Sequence, residues 1–237
     1  MTMKQLFLAF VASVLAVMLS SCLGGGEYEV CDDVVLYSYW TFSFGQRADT
    51  LPGADPATFK QVRNWLGHDS ERVYYKKELV PGVDVPTLKV DRKPLFHDKK
   101  DYYYETKPLH VADMSSFKII KWVYDSFWAK DSRYAYFNDR RFEVDLPTFK
   151  VESSTIAKDK DHVYYFGNLI PDADPKTFEA IGKSGYYRDK SHIWCGDELL
   201  EDVDYETFQA DDFDTGHDKY GRFRYHERDT IEPGVLE

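Results

Sequence analysis

Apolar residues come in short bursts between polar turns. Val73-Tyr74-Tyr75, Tyr102-Tyr103-Tyr104, Ala135-Tyr136-Phe137, Val163-Tyr164-Tyr165 and Ile193-Trp194-Cys195 are three-residue runs rich in aromatic and β-branched side chains. That composition predicts strands. An Asp, often followed by Lys, precedes each run, and an Asp side chain that bonds the backbone two residues on predicts a turn there. A polar turn such as Gly167-Asn168 follows, then Leu or Ile and Pro, which reads as a hairpin or strand end. The stretches "DPAT" at Asp55 and "DPKT" at Asp174 predict single helical turns, with Asp as N-cap and Pro in the first helical position. Such a turn points Phe178 inward. A second strand, for example "EAIGKSGYY", leads back to the next Asp. The expected unit is strand, turn, strand and one helical turn.

The unit recurs. A late Asp stands at Asp55, Asp84, Asp113, Asp145, Asp174 and Asp204, with steps of 29, 29, 32, 29 and 30. Four positions after each lies Phe59, Leu88, Phe117, Phe149, Phe178 or Phe208. An early Asp stands at Asp69, Asp98, Asp131, Asp159, Asp189 and Asp218, with steps of 29, 33, 28, 30 and 29. Two independent rulers give one period, about 30 residues. About six units fill the chain from Tyr37 onward, the terminal ones degenerate, as a capped array requires. A unit this small cannot bury its own apolar face, so neighbours must stack.

"DKDHVYY" followed by "PDADPKTF" resembles the DKNYY repeat family of bacterial exported proteins and lipoproteins. The likeness spans nearly all of the chain after residue 21. It is best from Asp159 to Phe178 and weakest before Leu51; the third and fourth units lack the Pro-Gly pair before the late Asp. It implies a repeat architecture and no particular activity. The expected fold is all-β: tandem hairpin-like repeats with single helical turns in an open, curved array. A closed, propeller-like ring is the alternative, less favoured because propeller blades carry four strands and ~40 or more residues.

The first 21 residues break the pattern. "MTMKQLFLAFVASVLAVMLSSC" has one positive charge, Lys4, then an apolar run ending in Leu19-Ser20-Ser21-Cys22. This predicts a signal peptide over residues 1–21; the run is short for a membrane span, which needs ~20 residues. Its end resembles the lipobox of bacterial lipoproteins, which implies cleavage before Cys22 and acylation of that residue. Residues 22–36 are then lipidated Cys and tether, with "LGGGEYE" flexible, and residues 37–237 form the repeat domain. Leu23 after the Cys resembles an outer-membrane sorting signal. Without Lys4 the balance is 29 basic against 41 acidic residues, or −12. That excludes phosphate-backbone binding, so no nucleic-acid partner is expected, and argues against simple electrostatic adhesion to anionic lipid. Cys31 and Cys195 remain, either as a disulfide, permitted outside the cytoplasm, or with Cys195 packed as a small apolar group.

Repeats also set equivalent residues in columns. Tyr74, Tyr103, Tyr136, Tyr164, Trp194 and Phe223 form one, five positions after each early Asp. Either both strand faces are packed and the hydroxyls reach turns, or the column is an exposed ribbon for a glycan or protein. The residues before each early Asp are His68, His97, Lys130, Lys158, Arg188 and His217. They read as locally paired turn charges; their spacing is not that of zinc ligands. His162 and His192 form a second such column. "DADP" and "DDFDTGHD" are acidic, yet neither matches a calcium loop. No metal or cofactor is expected. No nucleophile elbow, phosphate loop or dinucleotide fingerprint is present, and the distinctive residues are repeated where an active site needs a unique constellation. The expectation is a non-enzymatic, lipid-anchored cell-envelope protein, tied to the membrane through Cys22, that binds protein or glycan or acts as a scaffold. The alternative is an envelope hydrolase with its site near Tyr37 to Phe44 or Asp211 to Asp218.

Overall fold

The computed structural model describes residues 26–229. The predicted signal peptide, Cys22 and residues 23–25 lie outside them. Among the described residues every regular element is a β-strand, save one 3-10 turn at Val85–Thr87. A three-stranded antiparallel sheet comes first, with β1 (Glu27–Val30), β2 (Val35–Thr41) and β3 (Gly45–Thr50) in that order. Six four-stranded sheets follow, spanning residues 60–80, 89–108, 118–142, 150–169, 179–199 and 209–228. Each is a meander of consecutive strands. In the first, β4 (Lys60–Arg63), β5 (Leu66–His68), β6 (Val73–Tyr75) and β7 (Glu78–Val80) pair in chain order. The register sets Leu66 opposite Tyr75, Gly67 opposite Tyr74 and Tyr74 opposite Leu79.

The all-β tandem architecture agrees with the sequence reading, but each unit has four strands, not two, and the segments after Asp55 and Asp174, expected as helical turns, are hydrogen-bonded turns, with Thr58 and Thr177 N–H donating to Asp55 O and Asp174 O. "EAIGKSGYY" is two strands, Glu179–Ala180 and Tyr186–Arg188, parted by a turn. The segment after the third strand, read as a hairpin or strand end, is a full fourth strand. Most of these strands are only two or three residues long, so four fit into about 30 residues. The second half of the expected tether is also ordered. Glu27–Glu29 lie in β1, where Tyr28 is buried and its hydroxyl donates to Tyr74 O at 3.0 Å. Alternation of Tyr28, Val35 and Tyr37 with polar neighbours gives this sheet an apolar face, which covers the first repeat at Tyr74.

The described chain divides after Pro108 into two compact units. Within each, successive sheets share a core. Val73 and Tyr75 face forward, onto Phe96 and Tyr103 of the next sheet, while Tyr74 faces back onto Tyr37 and Leu51. In the second unit Trp128 and Phe137 meet Tyr164, Ile156 and Val163 meet Trp194, and Tyr186 and Ile193 meet Phe223. The ruler aromatic after each late Asp completes these layers. Phe59, Phe117, Phe149, Phe178 and Phe208 pack on Tyr74, Tyr136, Tyr164, Trp194 and Phe223, with ring centroids 5.5–6.3 Å apart. Where Leu88 replaces Phe, Phe96 stacks on Tyr103 at 5.4 Å instead. At Gly67 and Gly216 the ring of Phe59 or Phe208 takes the place of a side chain, and a Cβ would approach it to 2.5–2.7 Å.

The six early Asp carboxylates are buried, none more than 5% exposed. In every repeat Oδ1 accepts the backbone N–H groups two and three residues on, such as Asp161 and His162 at Asp159. Oδ2 reaches back to accept the N–H of the late Asp, as from Asp145 to Asp159 at 2.9 Å. Tyr103, Tyr136 and Tyr164 add a hydroxyl donor to Asp98, Asp131 and Asp159. Asp218 instead takes two bonds from the Arg228 guanidinium, both shorter than 2.9 Å. The late turns lock onto the early ones by a second route. Thr58, Thr87, Ser116, Thr148 and Thr207 each donate to the late Asp side chain three residues before. Those hydroxyls, and that of Thr177, accept the N–H following each early Asp. The Lys of the Asp-Lys pair closes the clasp from solvent, as Lys190 to Asp174 at 3.0 Å and Lys219 to Asp204 at 2.6 Å.

Burial alone would raise the early carboxyl pKa values. The converging donors overrule it, and Asp69, Asp131 and Asp159 lie below the ordinary 3.8. Asp218 is lowered chiefly by Arg228. A depressed folded pKa contributes stability that is complete above the unfolded value and is lost as pH falls through the folded one. Urea midpoints are therefore expected to be flat above about pH 5 and to fall steeply below pH 3.8. Asp159→Ala should cost at least about 3 kcal/mol, because buried N–H groups and the Tyr164 hydroxyl lose their acceptor. Lys160→Ala, which removes only an exposed partner, should leave the urea midpoint nearly unchanged in the same denaturation assay.

Candidate functional site

The aromatic column does not form a ribbon. Tyr74, Tyr103, Tyr136, Tyr164, Trp194 and Phe223 are all in the core, none more than 4% exposed. The preceding sheet covers Tyr74, Tyr103, Tyr164, Trp194 and Phe223, so the ribbon reading is overturned and the packed one holds. Their hydroxyls meet turns: Tyr74 donates to Pro52 O at 3.1 Å and Tyr136 to Asp131 at 2.6 Å. Burial first, and then the adjacent carboxylates, push the phenols of Tyr103, Tyr136 and Tyr164 up.

The basic column is locally engaged. His97 Nδ1 lies 2.7 Å from Asp91, His217 Nδ1 2.8 Å from Asp211, and Arg188 2.8 Å from Glu179. Lys158 donates to Phe178 O at 2.6 Å. His162 and His192 sit 3.5–3.6 Å from Asp159 and Asp189. Cys31 and Cys195 are free thiols, and burial pushes Cys195 up to about 11. Among the described residues no three His, Cys, Asp or Glu side chains converge as metal ligands. Around Asp211–Asp218, Asp211 pairs with His217 and Asp218 with Arg228, while Asp212 accepts the N–H of Phe213. Those groups shape a hairpin and its turn.

A concave site lies in the first compact unit, where hairpin tips of successive sheets meet the N-terminal sheet. Its volume is about 420 Å³, within the range of small-ligand clefts. Tyr37 and Tyr39 of β2 and Tyr75 of β6 line it with Lys76, Lys77 and Glu105. Tyr39 is pinned: its hydroxyl donates to Asp49 at 2.9 Å, and Lys77 Nζ lies 2.8 Å from the same carboxylate and 5.1 Å from the Tyr39 ring centre. Lys77, then Tyr39, lower the Asp49 carboxyl pKa. On the other side the Tyr75 hydroxyl donates to Glu105 at 3.2 Å. The surface offers one half-buried ring, Tyr39, flanked by fixed cations and carboxylates, which suits a polar, ring-bearing ligand.

Sequence reading missed Tyr39, Lys76, Lys77 and Glu105 as a group. The signal was the period itself. Lys76 and Glu105 are 29 positions apart and occupy the same hairpin position, with left-handed φ of 54° and 55°. The same conformation recurs at Asn138, Phe166, Gly196 and Tyr225. It is therefore a requirement of this two-residue turn. Each is held by its N–H, as from Lys76 to Trp65 O at 2.8 Å and Glu105 to Pro94 O at 3.2 Å.

Consecutive four-stranded meanders, clasped by buried Asp and closed by an atypical N-terminal sheet, define a tandem-repeat all-β protein. The sequence model of the DKNYY family matches residues 28–107 and 156–231, about two thirds of the chain, and the chain belongs to that family. No curated protein and no solved structure matches it.

Proposed function

We propose that this is a lipid-anchored repeat protein of the bacterial cell envelope, acting without catalysis as a binding scaffold, with a glycan held in the tyrosine-lined groove. The groove carries this reading. Tyr39 offers a half-buried ring between Lys77 and Glu105, which bond hydroxyls from both signs of charge, while the buried Tyr37 and Tyr75 line the groove from the core side. The repeated Asp, Thr and Tyr side chains are engaged in holding the fold together, which leaves the irregular N-terminal region as the place for a ligand. The lipobox-like end at Cys22 supports attachment to the membrane, and Leu23 supports the outer one.

Two measurements test it. Soluble peptidoglycan fragments titrated into the mature chain should bind saturably, and Tyr39→Ala should weaken them about tenfold, or 1.4 kcal/mol. Tyr220→Ala, an exposed tyrosine in the other compact unit, should leave binding unchanged. Loss of no affinity in Tyr39→Ala would refute the groove. For the anchor, Cys22→Ser should abolish incorporation of labelled palmitate and release the chain from the membrane fraction.

A further inference from the structure

The hairpin joining β2 to β3 ends in three exposed rings. Trp40, Phe42 and Phe44 are 58%, 100% and 71% exposed. Trp40 stands near the end of β2, Phe42 and Phe44 lie in the turn that follows, and Trp40 meets Phe42 edge-on with ring centres 5.6 Å apart. The tip is shaped by its own bonds. The Thr41 hydroxyl donates to Gly45 O at 3.3 Å and accepts the Phe44 N–H at 3.2 Å, and Gly45 takes the left-handed φ of 70° that the turn needs. From Trp40 to Ala48 the only charge is Arg47, whose guanidinium lies 4.9 Å from the Phe44 ring centre. In a chain of net charge −11 this stretch is apolar and locally basic.

The register shows which way the tip points. Glu27 lies opposite Ser38, so the chain enters β1 at the end of the sheet from which the tip projects. Thr41, the last residue of β2, is three residues beyond Ser38, or about 10 Å of strand at ~3.3 Å per residue, and the tip follows it. Cys22 is five residues before Glu27, a span of at most about 17 Å. The chain between Cys22 and Glu27 is therefore long enough for the tip to meet the lipid surface that holds an acyl anchor at Cys22.

We propose that Trp40, Phe42 and Phe44 seat in the lipid–water interface of the bilayer that holds Cys22, forming a second, peripheral anchor; this rests on the lipoprotein reading above. Aromatic side chains favour that interface, and Arg47 faces anionic headgroups there, while the acidic bulk of the chain stays in water. A second copy of the chain fits the tip less well. Three rings offer less than the ~800 Å² per partner of a stable protein interface. The consequence is orientation: the tip fixes one end of the first compact unit at the membrane.

The test separates the two readings. The mature chain from Cys22 onward is held on phosphatidylethanolamine–phosphatidylglycerol vesicles through an N-terminal hexahistidine tag and a nickel-chelating lipid. Brominated acyl chains should quench tryptophan emission, and Trp40→Tyr should abolish that quenching. The double variant Phe42→Ser/Phe44→Ser should abolish it too; all three positions are exposed, and unchanged circular dichroism verifies the fold. Acylation of Cys22 in cells without Trp40-dependent quenching would overturn the tip anchor and leave the lipoprotein standing. Absence of acylation would overturn the lipoprotein reading and with it the geometry of the tip anchor. Self-association in solution that the double variant abolishes would assign the tip to a second copy and overturn the proposal.

Discussion

Each repeat hangs on one buried carboxylate. A lone charge in an apolar layer would be costly, but an early Asp accepts two N–H groups from its own turn and one from the turn before it. It thereby fixes the strand-to-strand turn and the crossover between sheets with a single side chain. The late Asp, its Thr and the following Lys repeat the same link from the solvent side. Strands of two or three residues have too few ladder bonds to hold a sheet by themselves, so the side-chain clasp sets where each one begins.

With the turns fixed, the aromatic residues follow. Alternation along a three-residue strand sends the middle ring to one face and its neighbours to the other. Stacking requires both faces to be covered, so the rings of the central strands become core, while Tyr124, Phe213, Tyr220 and Tyr225 in the turns stay exposed. That consumes the residues which, on an exposed sheet, would have been the natural binding surface. Capacity to bind is left to positions where the repeat is broken: the tips of the hairpins, where Lys76 and Glu105 differ in charge at one repeat position, and the N-terminal sheet, whose partner strands belong to no repeat. The groove and the aromatic tip both lie there.

Much of this was legible from residue spacing. The period, the turns at Asp159 and its equivalents, the Asp side chains that bond the turns at Asp55 and Asp174, and the inward Phe178 follow from local chemistry, in which a side chain bonds backbone within three or four residues. The strand count did not, because "EAIGKSGYY" reads as one strand or two depending on a turn that the Ser184 hydroxyl and the bond of Gly185 N–H to Phe213 O in the next sheet fix together. Nor did β1: Glu27–Glu29 look like tether until Tyr28 is seen to cap Tyr74, 46 residues away.

The sequence by itself determined the period, the number of units and the all-β character, because repeated local bonds write themselves as repeated residues. Tertiary structure alone decided which faces are hidden. Tyr74 and Trp40 are both aromatic residues of short strands; one is covered by the preceding sheet, while the other lies at a hairpin end where no sheet precedes it. Burial depends on what stacks against a residue, and that partner is a whole repeat away in the chain.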